Sequence, residues 1–361
     1  MVHAVIMAGG SGTRFWPKST KQLPKQFLNL FGEGTMIQNT AKRIEELIPQ
    51  ERIMVVTNDR YVNIVEEQLP EVPRQNIVGE AVAKNTAPCV AIAAEMLSKK
   101  DPEAVMVVLP ADHHIKKPKE FNQILKAAIA KADTGDNLVT IGIEPNRPET
   151  GYGYIHANNT VEESRENKSI HPVRAFKEKP DAETAKEFLA SGDYYWNSGM
   201  FIWKAKTILD QFRQHLPEMH QLVEAAGEGV YGDHHDESIN DFYHACESIS
   251  IDYGIMEKAS EVFVVPGDFG WNDVGSWTAI YELDEKNEDG NIINADHATF
   301  SEAKNNLVVS SSGKMVSVVG LDGVAVVETD EAILVCRLDK AQGVKDIVQQ
   351  LKEKEEFKKF L

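Results

Sequence analysis

The first 142 residues alternate between a strand period and a helix period, and no other feature of the chain narrows its possible folds as much. Residues 3–8, 52–57 (RIMVVT), 76–79, 104–109 (AVMVVL) and 138–142 are short apolar runs that read as buried strands. Helical patterns lie between them. One covers 35–48, where Thr35 and Gln38 have the spacing of a capping box. A second runs from an Asn58 cap to about Leu69, a third covers 87–99 behind a Thr86 cap, and a fourth covers 119–132. Strands alternating with helices imply right-handed crossovers and a parallel sheet covered on both faces. The expected fold class is α/β, with a Rossmann-like, mixed but mostly parallel sheet flanked by helices. Ligands on such a sheet bind beyond the C-terminal ends of its strands. The loops after Ala8, Gly79 and Leu109 are therefore the first places to seek function.

From about 150 to 285 the pattern is more mixed. GYGYI, 172–177 and 199–203 read as strands, and 181–191, 204–215 and 237–247 as helices. Beyond about 290 short β runs dominate (307–310, 314–319, 323–328, 332–336), split by Ser, Gly and Asp, and a charged helix closes the chain at about 341–358. Two domains are expected: 1–288, and a small β-rich domain over 289–361. The even spacing of its runs suits a short β-helix, although no clean repeat accompanies it. A chain of 361 residues, 42% of them apolar, has the length and the core for this division.

Charge narrows the partners. With 38 Lys+Arg against 56 Asp+Glu the net charge is −18, which repels nucleic-acid phosphates and anionic lipid. No nucleic-acid or membrane partner is expected, and a phosphate-bearing substrate must be held by a local basic cluster or a metal. The three cysteines, Cys89, Cys246 and Cys336, have neither disulfide nor metal spacing and read as small buried apolar residues. The apolar stretch His3–Ala8 is too short for a signal segment, and no run approaches the ~20 residues that span a bilayer. A cytoplasmic location is expected.

Five segments carry candidate chemistry. Gly9-Gly10-Ser11-Gly12-Thr13-Arg14 follows the first strand; its glycines let the backbone approach a ligand and present N–H groups to anionic oxygens. It is neither a Walker A loop nor the dinucleotide fingerprint. A tight strand-to-helix turn explains the glycines as well, but Arg14, Lys18, Lys21 and Lys25 cluster basic charge nearby, and Pro24 stiffens the approach to Lys25. That favours a phosphate clamp. Asp112, in Leu109-Pro110-Ala111-Asp112-His113, ends a strongly apolar strand. It suits Mg²⁺ as a hard oxygen ligand, and serves equally as a cap. His113 and His114 point to opposite sides of extended chain and do not make a metal pair. In Phe176-Lys177-Glu178-Lys179-Pro180, strand alternation sends Glu178 to the side opposite Lys177 and Lys179. Trp196-Asn197-Ser198-Gly199-Met200-Phe201 joins an amide to aromatic residues, a mix that suits sugar hydroxyls against an apolar wall, or plain core. Gly270-Trp271-Asn272-Asp273-Val274-Gly275 holds a second aspartate, and the two aspartates can share one Mg²⁺.

Read together, GGSGTRFWP, PKQ, KNTAP, LPADH, GYGYI, EKP, WNSGMF, IDYGIMEK and GWNDVGSW stand in the order of one family. From residue 3 to about 340 the chain resembles bacterial mannose-1-phosphate guanylyltransferases (GDP-mannose pyrophosphorylases), within the sugar-phosphate nucleotidyltransferases. The resemblance implies a Mg²⁺-dependent enzyme that joins GTP and mannose 1-phosphate into GDP-mannose and releases pyrophosphate. It implies that Gly9, Gly10, Gly12, Thr13 and Arg14 wrap the nucleotide phosphates, and that Arg14, Lys25 and Lys179 are the catalytic counter-charges. It places the metal on Asp112 and Asp273, the base at Glu80, Asn85 and Thr86, and the sugar phosphate at Gly153, Glu178, Lys179 and Asn197. A carboxylate at Glu80 accepts from both N1–H and the 2-amino group of guanine, a donor pair that adenine and uracil lack. The resemblance also implies a homodimer. Longer relatives continue into a cupin-type isomerase domain; a chain of 361 residues is expected to be monofunctional.

Three rivals remain on sequence. A nucleotidyltransferase for glucose 1-phosphate with UTP or dTTP shares the chemistry, and Glu80 with the WNSGMF segment argues against it. A non-catalytic nucleotide-sugar-binding regulatory subunit is expected to have lost residues that are present here. A glycosyltransferase usually carries Asp-x-Asp after a central strand, whereas Ala111-Asp112-His113-His114 holds one carboxylate.

Overall fold

The computed structural model describes residues 1–361 apart from Ser11, Glu33, Asn159, Asp233 and His234. In chain order its first elements are β1 (Val2–Met7), α1 (Met36–Ile44), β2 (Ile53–Asn58), α2 (Val62–Gln68), β3 (Ile77–Glu80), α3 (Thr86–Lys100), β4 (Val105–Pro110), β5 (His114–Ile115), α4 (Pro118–Asp133) and β6 (Leu138–Ile143). There follow β7 (Gly153–Ala157), β8 (Glu162–Glu163), β9 (Ser169–Glu178), α5 (Ala182–Ser191), β10 (Tyr194–Lys204), α6 (Ala205–His215), α7 (Pro217–Ala226), α8 (His235–Ala245), β11 (Val262–Gly267) and β12 (Trp271–Asn272). The last are α9 (Trp277–Leu283), β13 (Ile292–Asn294), β14 (Ala298–Ser301), β15 (Leu307–Ser310), β16 (Val316–Val319), β17 (Val324–Glu328), β18 (Ile333–Arg337) and α10 (Val344–Glu353). The chain divides into two units: Met1–Gly9, Thr40–Ala111 and Ile115–Trp271 form the first, and Gly10–Asn39, Asp112–His114 and Asn272–Leu361 the second.

The first unit is built on a ten-stranded sheet in the order β3-β2-β1-β4-β10-β6-β11-β9-β7, with β8 on β9. Strands β1 to β4 pair in parallel. β10 enters antiparallel between β4 and β6, and β9 and β7 add further antiparallel pairs, so the sheet is mixed. The unbroken apolar runs of β1 and β4 reflect cover on both faces. Val5, Met106 and Val108 point into the layer of α3, α6, α7 and α8, while Ala4, Ile6 and Val107, equally inaccessible, point the other way. α4 lies against β6, β10 and β11. A register shift in β10 between Asn197 and Phe201 bends the strand where Asn197 sits.

The expected elements recur with shifted ends. The capping box forms, with Thr35 N–H donating to Gln38 Oε1 (3.0 Å) and Gln38 N–H to Thr35 Oγ1 (3.4 Å). The third helix differs: Asn85 caps it and Thr86 is its first residue. The closing helix is shorter than expected, α10 being flanked by 3₁₀ turns. α7, β11 and α9 have no counterpart among the sequence expectations. Cys89 and Cys246 are buried as expected, whereas Cys336 is half-buried. Among the described residues no helix is long and apolar enough to cross a membrane.

In the second unit, successive strands alternate between two parallel stacks, β13-β15-β17 and β14-β16, with β18 closing the first stack antiparallel. That winding is a short β-helix. Two inaccessible asparagines staple its turns. Asn291 Oδ1 accepts from Asn306 N–H (2.9 Å), and Asn306 in turn donates to Leu321 O (2.8 Å) and accepts from Val324 N–H (3.0 Å). The same unit packs Phe15, Trp16, Leu28 and Trp277 against β15, β17 and α10 in one apolar cluster. Asn306→Leu orphans the Leu321 carbonyl and the Val324 N–H inside this stack, and is expected to destabilise the unit by about 2 kcal/mol. A lowered urea midpoint checks this, and an unchanged midpoint contradicts it.

Candidate active site

The second unit gathers one cluster of candidate residues around Lys25. Pro24, with its φ of −66°, leads into the 3₁₀ turn Lys25–Phe27. Lys25 is buried, at 4% exposure. Its ammonium donates to Asp112 Oδ2 (2.9 Å) and to the main-chain carbonyl of Asp273 (2.7 Å), and stands 5.6 Å from the centre of the Phe15 ring. A buried ammonium needs such partners, because desolvation is otherwise uncompensated. Burial by itself raises the Asp112 pKa, but the neighbouring Lys25 and His113 charges outweigh it and hold the carboxyl below its ordinary value. Asp112 is therefore ionised near neutral pH.

Local chain geometry permits this junction. Gly12 has φ +53°, and a Cβ there would lie 2.4 Å from Lys25 Cβ. Gln26 Nε2 donates to the Gly10 carbonyl (3.2 Å), tying the glycine loop to the same turn. Asn272 Oδ1 accepts from Val274 N–H (2.7 Å), bracing the turn that carries Asp273. Thr13 and Arg14 lie in a 3₁₀ turn, with Arg14 exposed. Ser11 lies outside the described residues. Lys18 and Lys21 do not share the place of Lys25: Lys18 lines a cleft with Trp277 and Asn294, and Lys21 is exposed.

Asp112 thus brings its carboxylate, and Asp273 its main-chain carbonyl, to one ammonium. Among the described residues no group of three or more His, Cys, Asp or Glu could hold a metal. Two carboxylates without a third protein ligand fit Mg²⁺, which usually binds through one or two carboxylates and completes its shell with water and substrate phosphates.

The first unit carries the remaining candidates in two places. At the end of β3, Glu80 is 6% exposed, and its carbonyl accepts from Asn58 Nδ2 (2.9 Å). Burial pushes its carboxyl up to about 7, an effect opposed by the Tyr243 hydroxyl and reinforced by the Asp59 charge. Gly9 passes close by, since a Cβ on it would lie 3.6 Å from Glu80 Oε2. Asn85 and Thr86 each make a hydrogen bond at the start of α3. Asn85 Oδ1 accepts from Thr86 N–H (2.9 Å), and Thr86 Oγ1 accepts from Ile251 N–H (2.9 Å).

At the paired ends of β7 and β9, Gly153 sits opposite Glu178. A Cβ on Gly153 would meet Glu178 Oε2 at 2.5 Å and touch Asn197 Cβ at 3.4 Å, so glycine leaves these two side chains room to converge. Strand alternation separates Glu178 from Lys179, yet their side chains form an ion pair at 2.5 Å. The reason is local. β9 ends at Glu178, and Lys179, at φ +45°, swings out of the strand pattern. The ion pair holds the Lys179 ammonium above its ordinary pKa. Asn197 Oδ1 accepts from Gly199 N–H (3.0 Å), which orients its amide so that Nδ2 donates to Asp252 Oδ1 (2.7 Å).

Three features escaped the sequence reading. Asp252 lies in the IDYGIMEK segment, but nothing in its spacing marks a role. Tyr152 makes edge contacts with Trp196 and Trp271, both at 5.3 Å between ring centres. Arg147 stands 5.2 Å over the Trp196 ring. A run of aromatics beside a basic residue was the available signal, and it reads equally as core.

Residues 3–290 match the family model described as nucleotidyl transferase, and residues 301–351 match the MannoseP isomerase/GMP-like beta-helix domain. A mannose-1-phosphate guanylyltransferase from Klebsiella pneumoniae is 39% identical over 98% of this chain and 74% of its own length. The alginate biosynthesis protein AlgA of Pseudomonas aeruginosa is 40% identical over 96% of this chain and 71% of its own. A crystal structure from Thermus thermophilus, described as a mannose-1-phosphate geranyltransferase, superposes with TM-score 0.86 at 29% identity, covering 97% of this chain and 99% of that one.

Gly12→Ala combines a left-handed backbone with overlap on Lys25, and is expected to cost about 1–3 kcal/mol. Urea unfolding checks this; wild-type stability in the variant contradicts it.

Proposed function

The chain belongs to the nucleotidyl transferase family and, within it, to the mannose-1-phosphate guanylyltransferases, and from that membership we propose that it joins GTP and mannose 1-phosphate into GDP-mannose and pyrophosphate, as a Mg²⁺-dependent cytoplasmic homodimer. The observation that carries the reading is the buried Lys25 ammonium shared by Asp112 and Asp273. It concentrates one cation and two hard-oxygen residues in a protein of net charge −18, a combination suited to phosphate groups and otherwise costly.

Phosphoryl transfer of this kind is mostly positioning and charge stabilisation. A phosphate oxygen of mannose 1-phosphate attacks the α-phosphorus of GTP, the bond to the bridging oxygen breaks, and pyrophosphate carries the electron pair away. The nucleophile is already anionic, so no general base and no covalent enzyme intermediate is required. The glycine loop from Gly9 to Gly12, with Thr13 and Arg14, offers N–H groups and a guanidinium to the triphosphate. Lys25 neutralises charge on the transferred phosphate and the leaving group. Asp112 and Asp273 would hold Mg²⁺, which would supply further neutralisation of phosphate charge. Lys179 receives the phosphate of the sugar, with Glu178, Asn197 and the Gly153 backbone at its hydroxyls. Glu80 in its ionised form accepts from N1–H and the 2-amino group of guanine, beside the loop that Asn85 and Thr86 hold in place.

These assignments are open to substitution and to pH. Lys25→Ala and Asp112→Ala are each expected to lower turnover by roughly two or more decades, the scale of lost transition-state electrostatics. Near-normal turnover of both variants at saturating Mg²⁺ removes these roles. The Glu80 carboxyl, pushed up to about 7, must lose its proton to read guanine. Accordingly kcat/KM for GTP should fall by about tenfold per unit as pH drops below this value, and plateau above it. In Glu80→Gln that acid limb should be absent. A variant that keeps the limb assigns the titration to another group.

A further inference from the structure

The segment between α8 and β11 belongs to neither place described in the first unit, yet it is bonded to both. Ile249 O accepts from Ala87 N–H (3.1 Å) and Ile251 N–H donates to Thr86 Oγ1 (2.9 Å), fastening the segment to the first turn of α3. The next residue, Asp252, opens a π-helical turn over Asp252–Met256, an uncommon geometry that is frequent at functional positions. Gly254 packs tightly behind it, since a Cβ there would lie 2.9 Å from Leu216 Cδ1. The Asp252 backbone is therefore held from two sides before any ligand arrives.

Its carboxylate is set where a carboxylate is expensive. Asp252 is only part-exposed and has Glu178, Lys179, Tyr253 and Glu257 as its charged or titratable neighbours. Burial pushes its carboxyl up, the Asn197 hydrogen bond pulls it back, and the Glu178 charge pushes it up again. Orienting an amide does not require a second carboxylate near Glu178, because a neutral acceptor performs that task without the repulsion. Two carboxylates facing one polar cluster are, by contrast, strong acceptors for a pair of hydroxyl groups. Asn197 fits between them as a donor. Its Oδ1 is committed to Gly199 N–H and one Nδ2 hydrogen to Asp252, and among the described residues nothing further takes its second hydrogen.

We propose that Asp252 is a fifth member of the sugar-phosphate place, accepting with Glu178 from ring hydroxyls of the sugar 1-phosphate and holding Asn197 as the donor between them. The proposal rests on the reading of the chain as an enzyme acting on a sugar 1-phosphate. Asp252 sets which sugar is taken, and contributes nothing to nucleotide affinity.

The test is steady-state kinetics of Asp252→Asn, which preserves shape and removes the charge, with mannose 1-phosphate and glucose 1-phosphate as alternative acceptors. Loss of an interaction made equally in ground and transition states raises KM alone. The expected result is a rise of about tenfold in KM for mannose 1-phosphate, KM for GTP within about twofold of wild type, and a narrowed preference over glucose 1-phosphate. Asp252→Glu keeps the charge and displaces it by one methylene; it is expected to show the same selective rise, and it carries the test if the Asn variant does not fold. KM values for both substrates that rise together, or that stay at wild-type values in a folded variant, overturn the proposal. A wild-type enzyme that releases no pyrophosphate from GTP and mannose 1-phosphate overturns the functional reading instead, so the two failures are distinct.

Discussion

A lysine ammonium withdrawn from water has to be satisfied, and Lys25 organises the second unit around that requirement. Its hydrogen-bond partners come from two stretches of chain far from it in sequence, the Asp112 segment and the Asp273 turn. Each local detail follows from bringing them together. Gly12 must lack a side chain because Lys25 occupies the space that one would need. Phe15 presents its ring face to the ammonium, and Trp16 joins Phe15 in the apolar cluster that also takes in the β-helix strands. A carboxylate held ionised beside a buried ammonium is an arrangement ready to meet phosphate and Mg²⁺, and that readiness is the link from packing to function.

The first unit solves a different problem, the convergence of polar side chains on the ends of paired strands. Gly153 removes the obstruction, the β10 irregularity bends the strand at Asn197, and Lys179 leaves the strand pattern through a positive φ. A non-glycine residue in that conformation is strained, and strain of this kind concentrates at functional positions. Glu80 adds a third case of a polar group in a dry setting, where burial places its titration near neutrality.

Much of this was legible in the sequence because strand and helix periods are local signals. β1 to β4 and the helices between them, the Thr35–Gln38 capping box and the β runs from residue 307 on all follow from short-range pattern, whereas β13 and β14 do not. What escaped depends on long-range contact. β11 is an apolar run whose status as a strand is decided by its pairing with β6. Thr86 has the chemistry of a cap, but its hydroxyl is claimed by Ile251, and Asn85 takes the cap position. The expected separation of Glu178 and Lys179 presumed a regular strand, which the backbone at Lys179 ends. Asp252 became visible only through Asn197, 55 residues away. The candidate site was readable as motifs in order; which of their side chains face each other was not.

The account turns on one claim, that the buried Lys25 cluster and the Glu80 carboxylate serve an enzyme that selects GTP and mannose 1-phosphate. Pyrophosphate release in the presence of Mg²⁺ measures this directly, with GTP, ATP, UTP and dTTP each paired with mannose 1-phosphate and with glucose 1-phosphate. Fast release from GTP with mannose 1-phosphate, and slow release from every other pair, is the predicted result. Equal or faster release with UTP or dTTP and glucose 1-phosphate, or none from any pair, contradicts it.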